Sequence, residues 1–203
     1  MVKELKILVL GNDPQINQID FGRLDPSVIT LGVNRIWLKH IPNFFFFNDF
    51  EILKELEMQP EVVKALVLKS QCFSSDWLNK SGKIKNLPDW VKVYNQHNKK
   101  SLPDSVTTAI SIFKSRYLNY RTATFYVAGV SLKWTNPSHF WKELDYDSLN
   151  KHDEKWYDPR FKLMLENFKN LSTKNNSIVS VHPDSLLNKY YRYEGIENLY
   201  TKQ

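Results

Sequence analysis

Cysteine is all but missing: Cys72 stands alone among 203 residues. One thiol excludes a disulfide framework and a thiolate zinc cluster within a single chain. Glycine is sparse, at six residues. Neither the three-glycine spacing of a dinucleotide fingerprint nor the Gly-Lys-Ser/Thr of a phosphate loop occurs. Long apolar runs are missing too. The first reaches only from Leu5 to Leu10, and the unbroken block Phe44 to Phe47 is shorter still. Both fall well below a signal peptide or a membrane span. With 42% hydrophobic and 25% charged residues, the composition excludes collagen-like, acidic-disordered and disulfide-scaffold classes.

What is present points elsewhere. Lys and Arg number 28 against 22 for Asp and Glu, a formal charge of +6, which suits a polyanionic partner or simply solubility. Aromatic residues are frequent, at 14%. The length suits one domain over residues 1–203. The expectation is a soluble, cytoplasmic protein with no membrane span.

Leu5 to Leu10 reads as a buried strand, followed by the turn Gly11-Asn12-Asp13-Pro14. Val28 to Val33 repeats the pattern and ends at Asn34; Phe44 to Phe47 ends at Asn48-Asp49. Glu51 to Met58 has helical spacing, and Val62 to Leu68 reads as a fourth strand. Asp104 to Tyr117 reads as a helix, capped by Asp104 or Ser105, with Val106, Ala109, Ile110 and Phe113 as its apolar stripe. A strand at Ala123 to Ala128, a helix at Asp158 to Leu171 with Pro159 in its first turn, a strand at Ile178 to Val181 and a short helix from Asp184 complete the order. Alternating strands and helices predict an α/β fold: one Rossmann-like domain with a mostly parallel sheet flanked by helices. In such sheets the carboxyl ends of the strands form the ligand crevice. A loop or lid over it is expected at about residues 134–157. The Gly11-Asn12 turn can bring amides up to a phosphate or ribose, or it is an ordinary β-turn.

The segment from Gly11 to Leu24 resembles the N-terminal signature of the family 42 sialyltransferases, Gly-Asn-Gly-Pro-Ser followed by Ile-Asp-Tyr-x-Arg-Leu. Leu31 to Arg35 and Phe46 to Asp49 are similar to the family's second and third strand ends, each with an asparagine. Leu102 to Ile110 looks like its Thr-Ser-Gly helix start, Phe125 to Trp134 like its Leu-Ser-Gly-Ile-Asp-Phe-Tyr strand and loop, and Val181 to Leu187 like its Cys-Pro-Asn-Ser-Leu-Leu ending. The likeness is collinear over most of the chain.

The resemblance implies a GT-A-like sialyltransferase variant: an inverting, metal-independent glycosyltransferase that takes a UDP- or CMP-linked sugar and needs no cofactor. Gly11, Asn12, Asp13, Asn34, Arg35, Asn48, Asp104, Ser105 and Trp134 would then line the donor site. The loop after Trp134 also offers His139 and Tyr146. Inverting transfer needs a group to take the acceptor's proton, and histidine is suited to it. Position in the family points to His152, with Asp153 as its orienter or as the base itself, and His139 as second choice. His182 is a structural histidine or part of the pocket wall. Asp145 and Asp147 match a metal-binding Asp-x-Asp in form, but they do not end a hydrophobic strand, so a solvated loop is expected there. Asp13 replaces a glycine, Gln15 a serine and Ser131 an aspartate, and the glycine after Ser105 is missing. A carboxylate beside a phosphate is unfavourable, so Asp13 is expected to face the sugar or solvent.

Residues 79–100 hold six lysines (Lys80, Lys83, Lys85, Lys92, Lys99 and Lys100) against one acid, Asp89. Trp90 and Tyr94 are interleaved. Lysines neutralise phosphates and rings stack on bases, so this is a candidate nucleic-acid footprint or a solvated face with Trp90 in the core. Compact chains resembling this family occur in bacteriophages, where they glycosylate hydroxymethylated DNA bases such as 5-hydroxymethylcytosine. A phage DNA acceptor in the host cytoplasm is therefore expected, with cell-surface oligosaccharides, or an inactive nucleotide- or nucleic-acid-binding protein, as the alternatives.

Overall fold

A computed structural model describes residues 4–80, 86–94, 104–119, 121–133, 139–141, 154–171 and 176–202, without the side chains of 77, 79 and 154–158. Strands β1 (Leu5–Leu10), β2 (Ile29–Val33) and β3 (Phe44–Phe47) come first. Helices α1 (Phe50–Glu57) and α2 (Pro60–Lys69) lead to β4 (Gln71–Ser75), the short α3 (Trp77–Lys80) and β5 (Val91–Tyr94). Helix α4 (Ser105–Phe113), continued by a π-helical turn at Lys114–Leu118, precedes β6 (Ala123–Ala128). Helix α5 (Glu154–Lys169) precedes β7 (Asn176–Ser180).

Among the described residues the strands form one sheet in the order β5-β4-β3-β2-β1-β6-β7, every neighbouring pair parallel. The chain steps outward from β1 to β5 and then returns to the other side of β1. The strand order therefore reverses between β1 and β6, where open α/β sheets bind ligands.

Both faces of the sheet are buried, which is why the central strands are apolar at nearly every position. Leu8, Leu10, Phe45, Phe47, Tyr126 and Val179 pack against Ile52, Leu53 and Leu56 of α1 and Leu66 of α2. The alternate residues Ile7, Val9, Leu31, Phe46, Phe73 and Phe125 pack against Val106, Ile110 and Phe113 of α4 and Phe168 of α5.

Four elements differ from the sequence expectation. Residues 62–68 lie within α2, where Pro60 opens the helix and Leu66 enters the core. Their apolar run fits a buried strand or a helix equally well, and length decides. The fourth strand is instead Gln71–Ser75, whose polar ends hid it. Strand β5, at the sheet edge, carries the exposed Lys92 and Val93, too few apolar residues to announce a strand. Helix α5 starts before Asp158, so Pro159 falls inside it rather than in its first turn.

Candidate functional site

The carboxyl ends of the seven strands open on one edge, and the site is built there. At the β1 end, Gly11 lies so close to β6 that a Cβ would sit 2.3 Å from the Gly129 carbonyl oxygen. The Gly11 N–H donates to the Ala128 carbonyl at 2.9 Å and the Asp13 N–H to the Gly129 carbonyl at 3.0 Å. Gly129 takes a φ of +64°, a region glycine enters without penalty. The Gln15 side chain joins the third loop: its Oε1 accepts the Gly129 N–H at 2.8 Å and its amide donates to the Val181 carbonyl at 2.5 Å. The loops after β1, β6 and β7 thus form one unit.

Asn12 projects from that unit. Its carbonyl accepts the Phe140 N–H at 2.9 Å, while its side-chain Oδ1 is buried with no hydrogen-bond partner among the described residues. A buried polar atom left so is a candidate for a ligand contact. Asp13 turns to the β6 loop rather than to solvent, its carboxylate accepting the Ser131 N–H. Burial pushes the Asp13 carboxyl above the ordinary aspartate range, against the lowering effect of the Ser131 hydrogen bonds and of His182 and Lys133.

At the β2 end, Asn34 adopts φ +52°, left-handed backbone that asparagine tolerates better than most residues. Its N–H donates to the Phe46 carbonyl at 3.0 Å, and its Oδ1 accepts the Ser105 hydroxyl at 3.3 Å. Ser105 is the first residue of α4, so that helix directs its N-terminus at the strand ends. The first N–H groups of a helix, with the helix dipole, favour an anion there. Asp104 caps the helix, taking the Thr107 N–H at 2.6 Å, and it also holds the Asn167 side chain of α5 at 2.8 Å. Burial raises the Asp104 carboxyl, with those hydrogen bonds opposing.

At the β3 end, Asn48 is buried and its Oδ1 accepts the Tyr94 hydroxyl from the end of β5. Burial pushes the Tyr94 phenol well above its ordinary range. Asn12, Asn34 and Asn48 therefore follow three adjacent strands on one edge. With strands about 4.8 Å apart, they span about 10 Å, on the scale of a nucleotide.

Other expected contacts fall elsewhere. Arg35, expected at the donor, is 2% exposed and bound by both oxygens of Glu55 on α1, with Trp141 stacked 4.8 Å from its guanidinium carbon. A cation excluded from water takes the nearest carboxylate. Asp104 spends its carboxylate on α4 and α5, making it a positioning residue for Ser105. His139, the second candidate base, is buried and stacks on Trp141 at 4.2 Å. In the lysine stretch, Lys80 pairs with Asp76, and the Lys92 ammonium donates to Gln71 at 2.7 Å. Trp90 packs against the core, and Tyr94 is buried. Tyr94 is therefore not a stacking surface, and Trp90, half-buried, is engaged in packing the sheet edge. His152, Asp153, Trp134, Tyr146, Asp145, Asp147, Lys83, Lys85, Lys99, Lys100 and most of segment 134–157 lie outside the described residues.

Two contributors are absent from the sequence reading, and two others, Gln15 and His182, gain a definite place in the fold. Ser74 and Ser75, at the β4 end, have buried hydroxyls without a hydrogen-bond partner among the described residues; misplacing β4 hid them. Gln15 is the loop tie described above. His182, just past β7, is half-buried; its Nδ1 accepts the Asp184 N–H at 3.2 Å, and burial lowers its pKa. Its place after a strand end was the available signal. Among the described residues no three His, Cys, Asp or Glu side chains group to hold a metal ion, and no helix is long and apolar enough to cross a membrane.

By sequence, no protein-family model and no curated protein matches the chain. By structure it matches solved sialyltransferases. The sialyltransferase CST-II in complex with a trisaccharide acceptor and CMP aligns with 98% of this chain and 88% of its own, at 13% identity and a TM-score of 0.57. The alpha-2,3-sialyltransferase from Campylobacter jejuni in apo form aligns with 100% and 84%, at 17% identity and 0.57. The monofunctional alpha-2,3-sialyltransferase Cst-I from the same organism aligns with 100% and 84%, at 15% identity and 0.53. The chain has the sialyltransferase-like fold: one α/β, Rossmann-like, GT-A-like architecture with an all-parallel sheet.

Proposed function

We propose that this protein is an inverting glycosyltransferase that uses a nucleotide-activated sugar, CMP-linked in the first instance. One observation carries the reading. Three asparagines from adjacent strand ends and the N-terminus of α4 share one edge, in a fold it has in common with a sialyltransferase solved with CMP.

Asn12, Asn34 and Asn48 supply amides that recognise base, ribose and sugar without adding charge. The N–H groups opening α4 and the Ser105 hydroxyl face the leaving phosphate, whose negative charge grows as the glycosidic bond breaks. No metal is assigned, since that helix end supplies the charge stabilisation. The acceptor hydroxyl attacks the anomeric carbon from the opposite face, the bond to the phosphate oxygen breaks, and the hydroxyl proton passes to a base. His152, with Asp153 as orienter, is the base we assign by resemblance. The acceptor we assign is a sugar hydroxyl of an oligosaccharide: Tyr94 is buried and Trp90 is half-buried against the core, which weakens the stacking that favoured DNA.

The test is turnover. CMP-sialic acid and UDP-sugars are incubated with the chain and either a galactoside or hydroxymethylcytosine DNA. CMP release with a mass gain on the galactoside is expected, and His152→Ala should lower kcat by about a hundredfold or more. A mass gain on the DNA base would restore the phage-type acceptor. Binding of CMP or UMP without turnover on any acceptor would make the protein a binding module.

A further inference from the structure

The two departures that the sequence shows in the β1 and β6 loops are a single contact in the fold. Asp13 stands where the resembling pattern has glycine, Ser131 where it has aspartate, and the Asp13 carboxylate accepts the Ser131 N–H. That contact lies at the reversal of strand order between β1 and β6, the crevice of an open α/β sheet.

The hydrogen-bond inventory there is unbalanced. A carboxylate can accept about four hydrogen bonds, and the partner Asp13 has for its side chain is Ser131. The neighbouring Asn12 Oδ1 is a second acceptor, buried and unmatched. Two acceptor groups on consecutive residues can take donors from a ligand. The carboxylate also repels a phosphate, whose place is then the α4 N-terminus beside Asn34. Hydroxyl groups satisfy both conditions, and a vicinal pair can supply one donor to each acceptor.

We propose that Asp13 is the residue that selects ribose in the donor nucleotide: its carboxylate and Asn12 Oδ1 accept the 2′- and 3′-hydroxyls. This rests on the glycosyltransferase reading above and adds a preference for ribonucleotide donors. Lys133 and His182 contribute favourable electrostatics to the ionised form, and hydroxyl donors arriving at a buried carboxylate do the same.

Calorimetric titration of CMP and 2′,3′-dideoxy-CMP separates the possibilities. The wild-type protein should bind the dideoxy nucleotide at least about tenfold more weakly, as for hydrogen bonds to a charged acceptor. In Asp13→Ala the gap should narrow to about fivefold or less, the share of the remaining Asn12 acceptor; where that variant does not fold, Asp13→Asn, which keeps shape but not charge, is read for a narrowed gap. Equal binding of both nucleotides by the wild type, or an undiminished gap in the variant, overturns the assignment while leaving the donor reading intact. Binding of neither CMP, UMP nor a CMP-sugar overturns the donor reading and this inference with it.

Discussion

Arg35 and Glu55 meet in a bidentate ion pair, Nε to Oε2 at 2.7 Å and Nη2 to Oε1 at 2.5 Å, with side chains 2% and 3% exposed. The pair fastens the end of β2 to α1, one residue from Asn34. Removing one partner strands a buried charge, so Arg35→Met or Glu55→Gln should each cost about 3–5 kcal/mol in urea unfolding. The double change Arg35→Met with Glu55→Leu should recover much of that loss. An Arg35→Met protein of unchanged stability that no longer binds nucleotide would return Arg35 to the donor site.

Asn34 separates backbone from side-chain effects. At φ +52° an alanine is strained and a glycine is not. Asn34→Gly should therefore melt close to the wild type, and above Asn34→Ala. Both should bind CMP about tenfold or more weakly by titration, since each loses the amide. Full nucleotide affinity in Asn34→Gly would remove Asn34 from the site.

The β1–β6 junction tolerates no added carbon. A Cβ on Gly129 would lie 2.6 Å from Ile16 Cγ1, and the residue has φ +64°. Gly129→Ala combines overpacking with left-handed strain and should destabilise the protein by about 2–4 kcal/mol in urea unfolding. An unchanged midpoint would mean that the loops part easily.

Two histidines set the acid side of the stability curve. Burial holds His40 below its ordinary pKa, where its ring stacks on Phe21 at 4.6 Å, and burial does the same to His182. A lowered pKa means that the unfolded chain binds the proton first. The stability contributed is present above about pH 6.5 and is lost as pH falls below it. Asp13 and Asp104, raised by burial, run in the opposite sense: their protonation on acidification favours the folded state. Thermal melts at pH 7.5 and pH 5 should show a smaller drop in Tm for His40→Gln with His182→Gln than for the wild type. An equal drop would place the acid sensitivity elsewhere.

The sequence by itself determined the α/β class, the three N-terminal strands and the asparagines that end them. The reason is local: a doubly covered parallel strand must be apolar throughout and must stop at a turn residue, and both marks lie within a few consecutive positions. The capped start of α4 was legible for the same reason. Only the tertiary structure decided where the polar side chains go. Arg35 follows an asparagine at a strand end and reads as a ligand contact, yet Glu55 lies twenty residues on and claims it. Asp13 is turned by Ser131, which lies 118 residues away. Trp90 and Tyr94 sit among lysines in the sequence, yet Tyr94 is buried and Trp90 half-buried against the core, because the edge of the sheet has to be covered. Strand and helix pattern is written at spacings of two to four residues, whereas a hydrogen bond or an ion pair is settled by whichever partner the completed fold brings near.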